Sequence, residues 1–559
     1  MRILFLTHSF NSLSQRLYVE LSRDGHDISI EFDINDAVTR EAVALWRPDL
    51  IVAPFLKRAI PEDVWRAHTC LIVHPGPRGD RGPAALDWAI LNGETTWGVT
   101  VLQAVAEMDA GPVWASVDFP MRDARKGSLY RNEVTEAAVT AVKQAVARFS
   151  AGEFSPEPLA GGHWKPSCRQ ADRAIDWLRD DTATVLRKIH SADGQPGILD
   201  RIGGLHCYLY NARADPNLTG TAGELIARRH GAVCRATVDG AVWIGHLRPG
   251  GEGLGCKRPA VSVLGEAACL LPEPGAGSLG GEDIRYEEAN RVGYLHFHFY
   301  NGAMGVSECE RLLSAYRSAC ERDTRVLVLT GGADFWSNGL DLNQIEAAES
   351  PADESWRNIE AMNDLAHAII TTDDRITLSA LQGNAGAGGV FLALAADYVL
   401  ARSGVVLNPH YKSMGNLFGS EYWTCLLPRR VGEGRAAELM ENRLPIGAPE
   451  ALALGLIDTH FGLDAADFSV RLRAWADTLA ASPEYAKTLA AKRQRRTVDE
   501  AEKPLAAYRA EELERVQLNF YGFDPSYHVA RYHFVFKVPH SRTPFFLARH
   551  RVIDRGVLR

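Results

Sequence analysis

Residues 381–421, LQGNAGAGGVFLALAADYVLARSGVVLNPHYKSMGNLFGSE, constrain this chain more than any other stretch. The run 384–389 is dense in glycine and leads directly into 390–400, an apolar, alanine-rich segment with helical spacing and no proline. The pattern predicts a loop that opens a helix. Glycine lets backbone approach a ligand closely, and the first amides of a helix have no acceptor within it, so such a turn offers N–H donors to developing negative charge. An oxyanion hole needs donors of this kind. A glycine turn can equally do no more than pack a helix against a strand, and one such loop does not decide between the two.

A second loop adds weight. Residues 325–330, RVLVLT, read as a buried strand, and GGADFWSNGLDL after it places Asn338 and Gly339 past a strand end, where another amide can point inward. Two loops with this spacing resemble the crotonase (enoyl-CoA hydratase) superfamily, whose members hold a thioester carbonyl between two backbone amides. The resemblance implies the amides of Asn338 and Gly388 as donors and an acyl-CoA as ligand. Hydratases of that superfamily carry one glutamate on the helix after the glycines and another after a downstream proline. Here these positions hold Phe391 and, after Pro409, His410, so water addition is not expected. The segment NPHYKSMGNLFGSEYW offers Tyr411 and Glu421 instead, a pattern that resembles the C-terminal half of the HypX (HoxX) hydrogenase maturation proteins.

At 559 residues the chain is long enough for about three or four domains. Its 46% hydrophobic and 23% charged residues are ordinary for a soluble globular protein. A net charge of -9 gives no electrostatic reason to bind nucleic acid or an acidic membrane. The nine cysteines are scattered from Cys70 to Cys425 without a C-x-x-C pair, which suggests neither a disulfide framework nor a metal site and fits a reducing cytoplasm. No apolar run approaches membrane-spanning length, and MRILFLTHSF reads as a first strand rather than a signal peptide. A cytoplasmic location is expected.

In the N-terminal part, strands are predicted at 2–7, 27–32, 48–54 and 69–73, with a helix at 12–23. Such alternation argues for a parallel α/β sheet with ligands beyond the carboxyl ends of its strands. His74 stands at one of those ends. The segment 74–111 then gives a proline- and glycine-rich loop, a helix at 84–91, a strand at 98–103 and Asp109 in a turn closed by Gly111. A histidine near neutrality can move a proton and a carboxylate beside it can hold and charge it, although a surface histidine and a capping aspartate read the same way in isolation.

The arrangement resembles the 10-formyltetrahydrofolate-dependent formyltransferases, which place an asparagine two residues before the histidine and an aspartate in a D-x-G turn. By that resemblance His74 and Asp109 are catalytic, and the asparagine position holds Ile72. Ile72 cannot hydrogen-bond a formyl oxygen, which argues against ordinary amide formylation. Pterin recognition in the family rests largely on backbone. The matching segment, VAPFLKRA, makes Ala53, Pro54 and Phe55, with Ile72, the folate-binding candidates. A thiol acceptor needs less help than an amine, because a thiolate is intrinsically nucleophilic. Coenzyme A attacking the formyl group of 10-formyltetrahydrofolate is therefore the expected first step.

Residues 127–149 read as one amphipathic helix, and AGEFSPEPLAGGHWKPS as a linker. A helix and short alternating runs such as HCYLYNA, GELIARR, AVCRATV and AVWIGHL suggest a small β-barrel. Methionyl-tRNA formyltransferases carry an OB-like domain after a phrase resembling 173–177, RAIDW. Ser191, Gln195 and Arg201, in the loop expected after the helix, and Arg542 in the basic tail are candidates for contacting CoA; loop residues satisfying their own backbone are the bland alternative. PEPGAGSLGGE, 272–282, reads as a second linker. The expected order is a Rossmann-like formyltransferase domain at 1–160, an OB-like bridging domain at 161–275 and a crotonase-fold domain at 282–559.

Three functions are compatible with these residues. One is a bifunctional enzyme in which CoA accepts the formyl group and the second half releases carbon monoxide from formyl-CoA; the HypX resemblance implies this, together with the hydrogenase maturation machinery as partner. A second is an amine or sugar formyltransferase fused to an acyl-CoA hydratase or hydrolase. A third is a non-catalytic assembly factor.

Overall fold

The computed structural model describes residues 1–554 apart from 153, 160, 252–254 and 276–281. Most of the expected second linker therefore lies outside the described residues. The fold divides into two compact units, Met1–Gly281 with Pro539–Arg559, and Glu282–Val538. The tail was expected to close the crotonase domain; it belongs to the first unit instead.

The first unit opens on a six-stranded sheet in the order Asp27–Phe32, Arg2–Thr7, Leu50–Phe55, Cys70–His74, Thr96–Gln103, Val113–Pro120. The first four strands run parallel, as the strand and helix alternation predicts. The last two run antiparallel, which corrects the expectation of a wholly parallel sheet. They form a hairpin too short for a crossover helix, and Asp109 in its turn takes a left-handed φ of 52°. The helical run after the sheet is continuous but carries a π-turn at Tyr130–Val134 ahead of Thr135–Ala151. Within the expected linker, His163–Trp164 pairs with Asp80–Arg81 beside the His74 loop.

The tail closes the exposed edge of this sheet. Ile30 donates its amide to the Leu547 carbonyl at 3.0 Å and Phe32 donates to Thr543 Oγ1 at 2.9 Å. An uncovered edge strand would otherwise present unpaired backbone groups. A second, antiparallel sheet of the same unit runs Leu225–Arg229, Ala232–Ala236, Ala241–Pro249, Leu205–Asp215, Ile198–Ile202, matching the four short runs read from sequence. Helix Thr182–Ala192 packs on it through Val185, Leu186 and Ile189.

In the second unit, successive turns of chain deliver one strand to a large sheet and one to a small sheet. Val326–Thr330 is followed by Phe335–Ser337, Ile376–Leu381 by Asn384–Gly386, and Tyr398–Arg402 by Val406–Asn408. The alanine-rich run 390–400 is therefore not one helix: Gly388–Leu394 is helical and Tyr398–Arg402 is a central strand of the large sheet. A short apolar run fits a buried strand and a buried helix equally, so periodicity alone could not place the break. Among the described residues no helix is long and apolar enough to cross a membrane.

Candidate active site

Three of the four strands of the small sheet run parallel and end together, and the loops that leave them carry the residues singled out from sequence. Asn338 follows Phe335–Ser337, Gly388 follows Asn384–Gly386, and Tyr411 follows Val406–Asn408. Ala387 is held at φ 48° with its amide on the Asn408 carbonyl, 3.0 Å away, and this bend starts the helix at Gly388. A non-glycine residue in that region is strained, and such strain is tolerated where surrounding structure fixes it. A Cβ on Gly339 would lie 3.4 Å from the Gly388 nitrogen, so the two glycine loops are neighbours, as expected.

The pair of free amides is not found. The Asn338 N–H donates to the Gly302 carbonyl at 2.7 Å, and the Gly339 N–H donates to Ser337 Oγ at 3.0 Å. The partner of Asn338 lies far back in the chain, so sequence gave no sign of it. Gly388, at the first position of its helix, is the donor that remains of the expected two.

Against Gly388 lies Glu421. A Cβ built on Gly388 would fall 2.3 Å from Glu421 Oε1, so only glycine leaves room for this carboxyl. Tyr411 donates its hydroxyl to Glu421 Oε2, and the same oxygen accepts the Ser420 amide at 3.2 Å. The Tyr411 ring stacks on Phe391 at 5.4 Å between centroids, and both groups are buried. The phenylalanine at the first hydratase acid position thus seats the tyrosine. His410, at the other, is also buried, and burial followed by the Arg443 charge lowers it to about 4.

Burial pushes Glu421 up to about 7, the Tyr411 hydrogen bond opposes this, and the charge of Glu512 adds to it. Burial, then Glu421, holds the Tyr411 phenol well above its ordinary range. The result is a carboxyl balanced between acid and base near neutrality, hydrogen-bonded to a phenol that stays protonated. The linkage has a definite sign. Between about pH 4.5 and 7 the folded state binds the proton that the unfolded chain has released, so this group lowers stability as pH rises through that window. Thermal unfolding of wild type and Glu421→Gln from pH 4.5 to 7.5 checks it: the stability of wild type relative to the variant is expected to fall with pH.

In the first unit, His74 ends its strand buried, with Nδ1 3.6 Å from Asp109 Oδ2. Asp109 also accepts the Gly82 amide at 3.1 Å. Asp80, which sequence reasoning passed over, faces the other ring nitrogen: its Oδ2 lies 3.0 Å from His74 Nε2 and its Oδ1 2.8 Å from Lys165 Nζ. Burial pushes the Asp80 carboxyl up, but hydrogen bonds from His74 and then Lys165 together hold it below its usual range. An acid in a loop of glycine and proline six residues after the histidine was the available signal. Ala53 is the register partner of Ile72, and Pro54 and Phe55 complete the adjoining strand end, so the four folate candidates lie on the two central strands of the sheet, toward their carboxyl ends.

The CoA candidates stand on different elements and loops. Ser191 lies inside its helix, fully buried, with its hydroxyl donating to the Lys188 carbonyl at 2.7 Å, so it is not the exposed loop residue expected. Arg201 sits on the strand Ile198–Ile202. The Gln195 carbonyl accepts Lys126 Nζ at 2.9 Å, and the guanidinium of Arg542 lies 4.8 Å over the Phe545 ring.

Comparison with known proteins agrees with this division. The formyl transferase family matches residues 31–146, the formyl transferase C-terminal domain 168–255, and the enoyl-CoA hydratase/isomerase family 305–518. A formyltransferase half joined to a crotonase-fold half is the class these matches define. Over its full length the chain is 58% identical to the hydrogenase maturation factor HoxX of Bradyrhizobium diazoefficiens, covering 99% of this chain and 98% of that protein. The crystal structure of HypX from Aquifex aeolicus in complex with tetrahydrofolic acid is 50% identical with a TM-score of 0.96, covering 99% of both chains. A 4-chlorobenzoyl coenzyme A dehalogenase from Arthrobacter sp. is 31% identical over 195 residues, 34% of this chain and 68% of that protein. The chain belongs to the HypX/HoxX family of hydrogenase maturation factors.

Proposed function

We propose that the chain makes carbon monoxide for the maturation of a [NiFe]-hydrogenase, in the cytoplasm, from the formyl group of 10-formyltetrahydrofolate and with CoA as carrier. The single observation that carries this reading is the buried Tyr411–Glu421 pair against Gly388, in a crotonase-type site whose two hydratase acid positions hold Phe391 and His410. A site so built can take a proton and return it, but it lacks the two acids that would activate water.

In the first unit the CoA sulfur attacks the formyl carbon. The new C–S bond forms as the bond from that carbon to N10 of the folate breaks, and the thiol proton passes through His74 to N10. Asp80 holds the imidazole at Nε2, and Asp109 stands 3.6 Å from Nδ1, the nitrogen that carries the moving proton. The tetrahydrofolic acid bound in the Aquifex HypX structure supports folate as a ligand, and Ala53, Pro54, Phe55 and Ile72 are the residues proposed to hold its pterin. His74→Ala is expected to abolish formyl-CoA formation while tetrahydrofolate binding, measured by calorimetry, is retained; formyl transfer at wild-type rate would remove His74 from the mechanism.

In the second unit Glu421 takes the formyl hydrogen as a proton. The C–H electron pair stays on carbon as the lone pair of CO, and the C–S pair leaves with sulfur. Tyr411 protonates the departing thiolate and regains its proton from Glu421 along the hydrogen bond between them. No tetrahedral alkoxide forms on this route, so one amide, that of Gly388, suffices to orient the carbonyl. The test supplies purified protein with formyl-labelled 10-formyltetrahydrofolate and CoA and detects labelled CO with a haemoprotein. Absence of CO, or hydration of crotonyl-CoA in its place, overturns the reading.

A further inference from the structure

The residues that hold Glu421 lie outside its own loop. Glu421 and Tyr422 both take left-handed φ values of 59°, a conformation that side chains other than glycine adopt only under constraint. The constraint comes from two helices. On Pro351–Thr371, the fully buried Asn363 accepts the Glu421 amide at 2.8 Å and the Ser420 hydroxyl at 3.0 Å through Oδ1. On Leu505–Tyr521, the fully buried Glu512 accepts four hydrogen bonds from the same turn. Its Oε2 takes the Tyr422 amide at 3.0 Å and the Ser420 hydroxyl at 3.1 Å; its Oε1 takes the Thr424 amide at 2.9 Å and the Thr424 hydroxyl at 2.6 Å. Asn519 of that helix adds a bond from the Phe418 amide at 3.0 Å.

Four donors face Glu512 and, among the described residues, no cation pairs with it; burial pushes its carboxyl up to about 7, and the hydrogen bonds from Thr424, Ser420 and Tyr422 oppose this. The groups donating to it are neutral, so when Glu512 is ionised its charge stays in the protein interior, where it acts on the next titratable group, Glu421. We propose that Glu512 is a positioning residue with two effects: it locks the Ser420–Thr424 turn so that Glu421 faces Gly388, and its buried carboxylate, when ionised, sets a negative charge beside Glu421 as that group takes the formyl proton. This rests on the reading that Glu421 is the base. The other titratable groups facing Glu421 are the Tyr411 phenol on its own loop and the buried Cys309 thiol on helix Val306–Cys320. Burial and the Glu512 charge act in the same direction on Glu421, and Tyr411 opposes them.

Locking and charge separate experimentally. Glu512→Gln is close in shape but neutral, and its amide cannot accept hydrogen bonds where two donors point. CO release from formyl-CoA is expected to fall about a hundredfold in kcat, the scale of a misplaced catalytic group, with its acid limb moved to lower pH. Asn363→Ala loosens the turn without removing charge, so kcat should fall with the acid limb in place. Formyl transfer to CoA, measured separately, should stay at wild-type rate in both. Wild-type kcat and acid limb in Glu512→Gln, alongside an inactive Glu421→Gln, overturn the proposal and leave the functional reading standing. An active Glu421→Gln overturns both. Should Glu512→Gln not fold, Thr424→Val removes one donor only; a lowered kcat with unchanged KM supports the proposal and wild-type kcat overturns it.

Discussion

Glu421→Gln is expected to lower CO release by about 10²- to 10⁴-fold, the range for loss of a positioned general base, and to leave formyl-CoA accumulating in solution. Glutamine fills the same volume beside Gly388 and can still accept the Tyr411 hydroxyl through its carbonyl oxygen, so the packing loss is small. What disappears is the capacity to hold a proton. Tyr411→Phe should also stop release while keeping its stack on Phe391, because the hydroxyl alone is removed. In wild type the rate should rise with pH through about 7 as Glu421 ionises. A quench-flow assay of formyl-CoA consumption with haemoprotein detection of CO measures all three. If Glu421→Gln released CO at the wild-type rate, the second half of the mechanism would fall.

Much of this site was legible before folding was considered, because its signals are local. Glycines next to an apolar run mark a loop opening a helix, and Tyr411 and Glu421 stand ten residues apart in one loop region. His74 and Asp109 were readable because a strand end and a hairpin turn place them where side chains converge. What escaped is what depends on distant partners. Asn338 loses its amide to Gly302, 36 residues earlier in the chain, and no local pattern records that. Glu512 reads as one more acid on an amphipathic helix until Ser420, Tyr422 and Thr424 fold onto it. Ser191 reads as a loop residue in sequence, whereas the helix runs on through Ala192. Lys165 stood in a segment whose prolines and glycines read as a linker, whereas the chain there pairs with Asp80–Arg81.

The same dependence on distant contact explains why the tail carries a second large effect. Glu31, on the edge strand Asp27–Phe32, is fully buried, and its carboxylate meets Arg551 Nη2 at 2.7 Å, His550 Nε2 at 3.0 Å and the Thr543 hydroxyl. His550 is fully buried too and bonds Ser29 Oγ through Nδ1 at 2.7 Å. Residues of the basic tail therefore serve as a clasp on the sheet edge. Glu31→Ala removes the anion and leaves a buried guanidinium, with Glu41, exposed and 3.2 Å away, as its remaining partner. Removing one member of a buried ion pair costs about 3–5 kcal/mol, so the first unit should unfold at markedly lower denaturant. Replacing Glu31, Arg551 and His550 together by apolar residues should restore much of that loss, because the uncompensated charge rather than the missing attraction makes up most of the cost. Denaturant unfolding, with proteolysis after Asp27 and before Arg549 as a local readout, distinguishes the cases. A Glu31→Ala protein as stable as wild type, with its tail still protected, would show that this cluster does not hold the tail in place.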